Sequence, residues 1–473
     1  MVKTAKKQID MTSGPLLGKI ILFTIPLMLS GILQLLFNAA DVVIVGQWAG
    51  TESLAAVSSN GPLVSLVVNL FIGLGVGANV VVARAIGAKN MEKSERAVHT
   101  AILLSIIGGV VVAVFGWFVS PHLLKLMKVD PDVIAKSTLY VRIYFLGAPV
   151  LLLYNFGSAI LRAKGDTKRP LVFLIISGVI NVGLNLLFVI VFNMDVAGVA
   201  IATVIAQAFS AVAVIICLIK EKDYCKLRIK RLRITKEILE IARIGLPAGI
   251  YSSFFSIANM AIQSSINDFG KVVMAGSATA SNLEGFVYTS MNAVYNAAIT
   301  FTGQNYGAKK YKRIGRVVLC CLGAVTVVGL ALGGIMAIFA PFFSRLYSPD
   351  AEVIAVAVER IRTIMPVYFL CGIMEIFVGA MRGMGYSVVP MVVTFFGACV
   401  LRVVWVFTIF AKFHRLPILY ISYPISWIIT LIADGLIFLI VYKRLLKKAK
   451  SEETATAVEE ANKEEDIVEN LAD

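Results

Sequence analysis

The chain has 473 residues, of which 58% are hydrophobic and only 15% are charged, and its mean hydropathy is +0.85. These values exclude an ordinary soluble globular protein, because such proteins carry about 25% charged residues. The formal net charge of +15 also falls in short basic clusters between apolar runs, which argues against a nucleic-acid partner. We therefore predict an all-α integral membrane protein whose partner is the lipid bilayer.

Apolar runs of about 20 residues or more recur along the chain, and each can cross a hydrocarbon core of about 30 Å. Lipid offers no hydrogen bonds to the backbone, so these runs should be helical. We predict twelve transmembrane spans, at residues 17–46, 53–82, 94–120, 132–160, 170–192, 197–220, 238–266, 275–304, 314–342, 352–381, 388–411 and 418–442.

Loops rich in Lys and Arg alternate with loops poor in both, such as "GQWAGTE" and "FNMDVAG". Basic residues concentrate in cytoplasmic loops, so both termini and the turns at Lys89 and Lys309 should be cytoplasmic. Glu52 and Asp268 should face outside. We expect a multi-pass protein of the inner (plasma) membrane. Its acidic end, 446–473, lacks aromatic residues, which predicts a disordered or marginally helical tail.

An internal repeat is visible in "RAIGAKN" (84–90) and "QNYGAKK" (304–310), which place a Gly-Ala-Lys turn at two positions related by an offset of 220. The same offset pairs Pro121 with Pro341, Arg162 with Arg382 and Pro170 with Pro390, and an offset of 221 pairs Pro26 with Pro247 and Asn38 with Asn259. The chain is therefore read as two copies of a six-helix unit. An even number of spans gives both copies one orientation, with a pseudo-symmetry axis along the membrane normal and a substrate site between them.

The repeat divides the chain into five segments. We predict a cytoplasmic N-terminal segment (1–16), an N-terminal six-helix bundle (17–220), a cytoplasmic linker (221–237), a C-terminal six-helix bundle (238–445) and an acidic cytoplasmic tail (446–473).

Several motifs together resemble the multidrug and toxic compound extrusion (MATE) family of twelve-helix, cation-coupled exporters. They are "IPLMLSGILQLLFNAADVVIVG", "ARAIGAKN", "ILRAKGDTKRP", "INVGLNLLFV" and "GVAIATVIAQ", within a resemblance that covers residues 16–443. The resemblance implies a cation-coupling site at Asp41, Asn181, Asn185 and Thr203. Many members carry Asp at position 185, and the sodium-coupled branch often has an acid where this chain has Cys371. The coupling ion, H+ or Na+, therefore stays open.

The residues themselves also favour a polar cluster in the N-terminal bundle. At about 1.5 Å per helical residue, Asp41, Asn185 and Thr203 reach the outer half of the membrane, and Asn181 shares the face of Asn185. An intramembrane acid indicates a functional site, although Asp41 as a hydrogen-bonded interfacial residue is the alternative. Pro26 should kink the first span, either as a static packing kink or as a moving hinge.

The C-terminal bundle carries further charged residues. Glu284 and Arg402 lie at similar depths, which predicts a buried ion pair, although a role in the cavity is the alternative. Glu375 is either a local partner of Arg382 or a cavity acid. The aromatic residues that could line a drug cavity are Phe37, Tyr154, Phe286, Tyr288 and Tyr295. The glycine-rich stretch 73–79 follows an apolar helix, so it indicates helix packing rather than phosphate binding.

We therefore expect a secondary antiporter that exports amphipathic or cationic organic compounds, such as drugs and toxic metabolites, in exchange for H+ or Na+. We expect a monomer without cofactor or metal, since no His, Cys or Asp motif supports an enzyme. The alternative is a lipid-linked oligosaccharide flippase, which should carry several basic residues inside its central cavity. In the sequence only Arg402 lies clearly deep, which favours the exporter.

Overall fold

A computed structural model describes residues 9–50, 52–53, 56–57, 61–126 and 131–472. Regular structure in these ranges is helical throughout, as predicted. The N-terminal half comprises α1 (Leu16–Ile44), α2 (Gly61–Gly87), α3 (Met91–Leu126), α4 (Pro131–Leu146), α5 (Ala148–Ala163), α6 (Lys168–Leu186) and α7 (Asp195–Lys220).

The C-terminal half begins after a 3-10 turn at Ile229–Arg231. Its helices are α8 (Glu237–Asn267), α9 (Lys271–Gly307), α10 (Tyr311–Ile338), α11 (Ala340–Arg345), α12 (Ala351–Ile364), α13 (Phe369–Gly383), α14 (Val388–Thr394), α15 (Leu401–Trp405), α16 (Ala411–Phe413) and α17 (Leu416–Ala472). Another 3-10 turn, Met365–Val367, joins α12 to α13. Across the described chain, π-helical segments interrupt or extend these helices at Val45–Ala49, Leu187–Val191, Phe395–Val400 and Val406–Phe410.

In the described ranges, nine helices are long and apolar enough to cross a membrane, and two bent pairs raise this number to eleven. The pairs are α4 with α5, bent by 47°, and α12 with α13, bent by 48°. Both were predicted as single spans, and both are the fourth span of their half. The predicted span that is missing from this number is 275–304, which corresponds to α9. This helix is 37 residues long but does not meet the same requirement for apolar composition.

The two halves pack together through close helix contacts of α2 with α8 and of α1 with α9. A Cβ atom at Gly73 would lie 2.2 Å from the backbone nitrogen of Gly249, and one at Gly77 would lie 2.3 Å from the carbonyl oxygen of Ile241. Only glycine permits this approach of two backbones. The prediction of helix packing for the glycine-rich stretch is therefore confirmed.

The structure explains why the Gly-Ala-Lys turn occurs twice. α2 continues to Gly87, beyond the predicted end at residue 82, and the left-handed residue of each turn is the lysine, with φ of 53° at Lys89 and 55° at Lys309. A Cβ at Gly87 would lie 1.9 Å from the Gln304 carbonyl oxygen, and one at Gly307 would lie 2.0 Å from that of Arg84. The glycines are needed because the two turns press against each other across the halves.

Two hydrogen bonds cross between the halves beside these turns, at the end of the molecule that is called the GAK end below. Arg84 Nε donates to the Gly383 carbonyl oxygen at 3.1 Å, and Gln304 Nε2 donates to that of Ala163 at 2.7 Å. The two donors are related by the repeat offset of 220, and so are the two acceptors, so the internal repeat maps one bond onto the other. The halves are therefore closed against each other at the GAK end.

The described part of the N-terminal segment, residues 9–16, also lies at the GAK end, on the C-terminal half. Asn305 Nδ2 donates to the Met11 carbonyl oxygen at 3.1 Å, and Arg313 Nη2 donates to that of Ser13 at 2.6 Å. At the other terminus, α17 stays helical to Ala472, so of the two alternatives predicted for the tail the structure shows the helical one.

The linker between the halves is anchored at the same end by buried charge. Glu221, directly after α7, accepts hydrogen bonds from Lys164 and Arg169. Burial acts to raise the pKa of Glu221, but the hydrogen bonds and the positive charges of Lys164 and Arg169 together outweigh it, so the pKa lies below its usual value. Thr235 N donates to Thr100 Oγ1 at 3.2 Å further along the linker.

Candidate ion and substrate sites

The four polar residues predicted for ion coupling meet in one hydrogen-bonded chain between α1, α6 and α7. Asn185 Nδ2 donates to Asp41 Oδ1 at 2.5 Å and lies 3.5 Å from Asn181 Oδ1. Asn181 Nδ2 donates to Thr203 Oγ1 at 3.3 Å, and Thr203 in turn donates to the Val199 carbonyl oxygen at 2.9 Å. This group is called the Asp41 cluster below.

The Asp41 cluster offers oxygen atoms in a mostly enclosed place. Asn185 and Asn181 are buried, and Asp41 is half-buried. Asn185 Oδ1 has no hydrogen-bond partner in the described part of the chain. Carboxylate, amide and hydroxyl oxygens are the ligands that hard cations prefer, and a lone carboxylate can equally take up a proton. The cluster can therefore hold a single small cation or a proton.

The first span continues through Pro26 as one helix, α1. Ser30 Oγ donates to the Pro26 carbonyl oxygen at 2.8 Å, so the serine bonds to the backbone one turn earlier. A moving hinge at Pro26 stays a prediction.

The predicted ion pair of Glu284 with Arg402 is wrong, because Glu284 is bound by Arg360 instead. Arg360 Nε and Nη2 donate to the two carboxylate oxygens of Glu284 at 2.8 Å and 2.9 Å. Arg360 lies on α12, ahead of the 48° bend, and sequence reasoning did not identify it. A fork-shaped pair of this kind is among the strongest charged contacts in proteins.

The groups that hold Arg402 in the described part of the chain are neutral. Arg402 Nε donates to Ser426 Oγ and its Nη1 donates to Asn259 Oδ1, both at 2.9 Å. The guanidinium carbon lies 4.4 Å from the ring centroid of Tyr423. Arg402 is 1% exposed, and its Nη2 has no hydrogen-bond partner among the described residues.

Glu375 forms no salt bridge with Arg382 in the described structure, and its alternative role as a cavity acid stays a prediction. Glu375 accepts a hydrogen bond from the Tyr251 hydroxyl at 2.9 Å. Arg382 instead donates to the Tyr295 hydroxyl and stacks on the Tyr251 ring at 4.3 Å. Asp434 on α17 is a buried acid that the sequence reasoning missed, and neither of its carboxylate oxygens has a hydrogen-bond partner in the described ranges.

A cavity of about 540 Å³ lies between the halves, lined mainly by α1, α2, α5 and α9. Of the predicted aromatic residues, Tyr154, Tyr288 and Tyr295 line it. Phe37 packs on Gly178, where a Cβ would lie 1.9 Å from the ring, and Phe286 lines neither this cavity nor the next. This space is called the central cavity.

The charged residues in the described lining of the central cavity are two arginines, Arg162 and Arg382. The predicted spans ended just before them, at residues 160 and 381. The two arginines are equivalent in the internal repeat and lie on α5 and α13. The cavity therefore contains more basic side chains than the sequence indicated.

A second cavity, of about 420 Å³, lies mainly within the C-terminal half, and Asn69 of α2 also lines it. Tyr288 lines this C-half cavity and the central cavity, and so does Ser252, so the two spaces adjoin. The charged residues of its described lining are Glu284, Arg360 and Arg402.

Comparison with known proteins identifies the family. The family model named MatE matches residues 26–187 and 247–408, which together make up more than half of the chain. The chain belongs to the MATE family. The two matched segments begin at Pro26 and Pro247, the pair of prolines that the internal repeat aligned at an offset of 221.

Similar proteins carry names that fit a MATE transporter. The chain is 29% identical over 423 residues to "Probable multidrug resistance protein YoeA" of Bacillus subtilis, covering 87% of this chain and 91% of that protein. It is 22% identical over 383 residues to "Multidrug export protein MepA" of Staphylococcus aureus, covering 79% and 82%.

The fold of a solved MATE structure agrees as well. The chain matches "Outward-facing conformation of a multidrug resistance MATE family transporter of the MOP superfamily" with a TM-score of 0.87, at 24% identity, over 94% of this chain and all of that one. This MATE protein is thus an all-α, multi-pass membrane protein of a multidrug efflux family.

Proposed function

We propose that the protein is a secondary antiporter that exports amphipathic organic compounds in exchange for H+ or Na+. The observation that carries the proposal is the Asp41 cluster beside the central cavity. Asn38 lines the cavity and lies three residues before Asp41, and Gln207 lines it four residues after Thr203. Residues three or four apart share a helix face, so an ion at the cluster and a compound in the cavity would act on the same helices.

Coupling requires that the ion favours one conformation over the other. Shifting a two-state equilibrium from 1:99 to 99:1 requires about 5.5 kcal/mol of differential affinity. Within the cluster, Asp41 is the residue that carries a formal charge, so it is the group through which binding of one cation can change the local charge. Closure at the GAK end supports a state in which the cavity is shut on that side.

The orientation belongs to the same proposal. With the GAK end in the cytoplasm of a bacterial-type inner (plasma) membrane, both termini are cytoplasmic and the Asp41 cluster lies towards the outside. The basic residues around both turns support this orientation. The proposed transporter acts as a monomer, without a cofactor and without a nucleic-acid partner.

The substrate follows from the cavity lining. Aromatic rings such as those of Tyr154 and Tyr288 favour flat, amphipathic compounds. Cationic compounds, which the sequence also favoured, would have to rely on these rings, because the described lining of the central cavity carries two arginines and no carboxylate. The names of the relatives from Bacillus subtilis and Staphylococcus aureus support an exporter of drugs.

One observation favours the flippase alternative. Arg162 and Arg382 lie in the central cavity, where a flippase would need basic side chains for a pyrophosphate. The family match and the names of the relatives favour the exporter. A flippase would move a lipid-linked oligosaccharide and leave a soluble dye untouched.

The proposal is tested in proteoliposomes that contain the purified full-length chain and an amphipathic fluorescent dye. A proton gradient and a sodium gradient are imposed separately, and we expect one of them to drive dye transport. Asp41→Asn should abolish driven transport, whereas the control Asp268→Asn, at an exposed acid, should retain it. Driven transport by Asp41→Asn at the wild-type rate would contradict the proposal, and so would a wild type that neither gradient drives.

A further inference from the structure

The C-half cavity carries an excess positive charge. Its described lining contains one carboxylate, from Glu284, and two guanidinium groups, from Arg360 and Arg402. Glu284 and Arg360 neutralise each other through two hydrogen bonds at 2.8 Å and 2.9 Å. The charge of Arg402 is therefore left over.

Arg402 is fixed in place but not neutralised. Ser426 and Asn259 accept from its Nε and Nη1, and the Tyr423 ring lies under its guanidinium carbon at 4.4 Å. All three partners are neutral. A buried charge without a counter-ion costs several kcal/mol, so a protein that keeps one has a use for it.

The donor that is left over belongs to a residue of the cavity lining. Arg402 lines the C-half cavity, and its Nη2 has no partner in the part of the chain that the structure describes. Asn259, which accepts from Nη1, is itself exposed, so the position can be reached. The rings of Tyr368 and Trp427, which lie 5.1 Å apart between centroids and are tilted by 43° to each other, line the same cavity.

We infer that Arg402 is a substrate-recognition residue that binds the anionic group, a carboxylate, phosphate or sulfonate, of an amphipathic compound whose apolar part lies against the aromatic lining. A guanidinium pairs with such groups through charge-assisted hydrogen bonds. The inference rests on the proposed function, because it takes the C-half cavity to be part of the path of the exported compound. It narrows the substrates to organic anions and zwitterions.

The test measures equilibrium binding to the full-length protein in phosphatidylcholine nanodiscs, with binding to empty nanodiscs subtracted. Three probes share one pyrenebutyl body and end in a carboxylate, a neutral amide or a trimethylammonium group. We expect the carboxylate probe to bind the wild type about tenfold more tightly than the amide probe, and the ammonium probe to bind most weakly. Ammonium binding equal to or tighter than carboxylate binding would overturn the inference.

Two variants remove the charge in different ways. Arg402→Gln removes the guanidinium, and Asn259→Asp places a carboxylate beside Nη1 while keeping the arginine and its contacts. Both should reduce the tenfold preference to about onefold, whereas Arg402→Lys should keep part of it. The matched control is Arg415→Gln, the same change at an exposed arginine, which should keep the full preference.

The second variant keeps the inference testable if Arg402→Gln does not give folded protein. A tenfold preference that persists in Asn259→Asp, or in a folded Arg402→Gln, would overturn it. Binding needs no ion gradient, so its outcome is independent of the antiport test. If the carboxylate probe is preferred but neither gradient drives dye transport, only the proposed function is contradicted. If a gradient drives dye transport but the carboxylate probe is not preferred, only this inference is contradicted.

The anionic group could belong to a small molecule or to a lipid headgroup. Adding phosphatidylglycerol to the nanodiscs separates these sources. If phosphatidylglycerol displaces the carboxylate probe from the wild type, but does not displace the probe that still binds Arg402→Gln, the site binds a lipid phosphate. If it displaces none, the site binds small-molecule anions. Both results uphold the anion site and assign its source.

Discussion

The two halves place different polar groups at one equivalent position. In the fifth span of each half, the offset of 220 aligns Pro170 with Pro390 and aligns Arg402 with Val182, the neighbour of Asn181. The π-helical segment Phe395–Val400 adds one residue to the C-terminal copy and brings Arg402 into register with Asn181. The same place in the repeat therefore holds a neutral amide in one half and a guanidinium in the other.

The first helix of each half differs in the complementary way. The offset of 221 that aligns Asn38 with Asn259 also aligns Asp41 with Ile262, which is fully buried. The N-terminal half thus has an acid among amides, and the C-terminal half has an arginine among neutral acceptors. Duplication kept the helices and reversed the charge, so substitutions in the two halves should have different consequences.

The largest expected effect is on the free energy of unfolding, and it distinguishes Arg360, which is paired with Glu284, from Arg402, which has no acidic partner in the described ranges. Glu284→Gln leaves Arg360 buried without its partner, which should lower the free energy of unfolding by about 3–5 kcal/mol. Arg402→Gln should not lower it by more than about 1 kcal/mol, because the contacts that it loses are neutral hydrogen bonds and the charge that it removes has no counter-ion among the described residues. Denaturant unfolding in detergent measures both.

The double variant Glu284→Gln/Arg360→Leu is the control for that comparison and should recover most of the loss. Equal destabilisation by Glu284→Gln and Arg402→Gln would contradict the distinction between a charge-paired Arg360 and an unpaired Arg402.

The second prediction asks whether ion coupling belongs to the N-terminal half alone. Asp41→Asn should reduce gradient-driven transport by about 100-fold or more, because the cluster then carries no charge. Asp434→Asn, at the buried acid of α17, should leave it within about twofold. Dye transport by both variants is measured under the same imposed gradient. A comparable collapse in both variants would place coupling in both halves.

The third prediction concerns the contact between the two Gly-Ala-Lys turns, to which each half contributes one glycine. Alanine at Gly87 or Gly307 places a Cβ about 2 Å from a backbone oxygen of the other half, so the GAK end cannot close as it does here. Each change should slow transport by about tenfold and raise thiol labelling of a cysteine introduced at the buried Thr302, in a cysteine-free background.

Gly183→Ala is the matched control for these variants, since nothing lies within 4 Å of a Cβ at that position. It should leave both readouts unchanged. A strong effect from only one of the two turn glycines would break the symmetry of the closure.

The smallest predicted effect tests the far end of the Asp41 cluster. Thr203→Val removes the acceptor for Asn181, which should weaken the ion affinity by about fivefold, or about 1 kcal/mol. Thr408→Val is the control, because Thr408 is exposed and bonds only within its own helix, to the Val404 carbonyl oxygen at 2.6 Å. Half-saturation of transport by the coupling ion measures both.

The family resemblance implied the four residues of the Asp41 cluster, and depth counting agreed with it because such counting works along uninterrupted helices. Asp41 and Asn185 lie on helices without sharp bends in these stretches, so distance from the helix end placed them correctly. The sequence also predicted the all-helical membrane fold, from its apolar runs, and the internal repeat, from the fixed offsets between prolines, glycines and arginines.

The same counting failed where backbone geometry departs from a straight helix. Arg360 lies before the 48° bend that joins α12 to α13, and a straight span gives no reason to direct it towards Glu284. Position 402 follows a π-helical segment, which rotates the face that its side chain occupies. Asp434 had a visible signal, a lone acid in the last apolar span, but its surroundings depend on packing that no sequence spacing encodes.

Closure at the GAK end depends on backbone atoms and on two glycines, which have no side chain to keep the halves apart. Gly87 and Gly307 meet carbonyl oxygens, and the two bridging hydrogen bonds also end on carbonyl oxygens. The cavity walls take no part in these contacts at the glycines. Mutations that change the lining can therefore accumulate without altering how the protein shuts, which leaves substrate range free to evolve on a constant closing device.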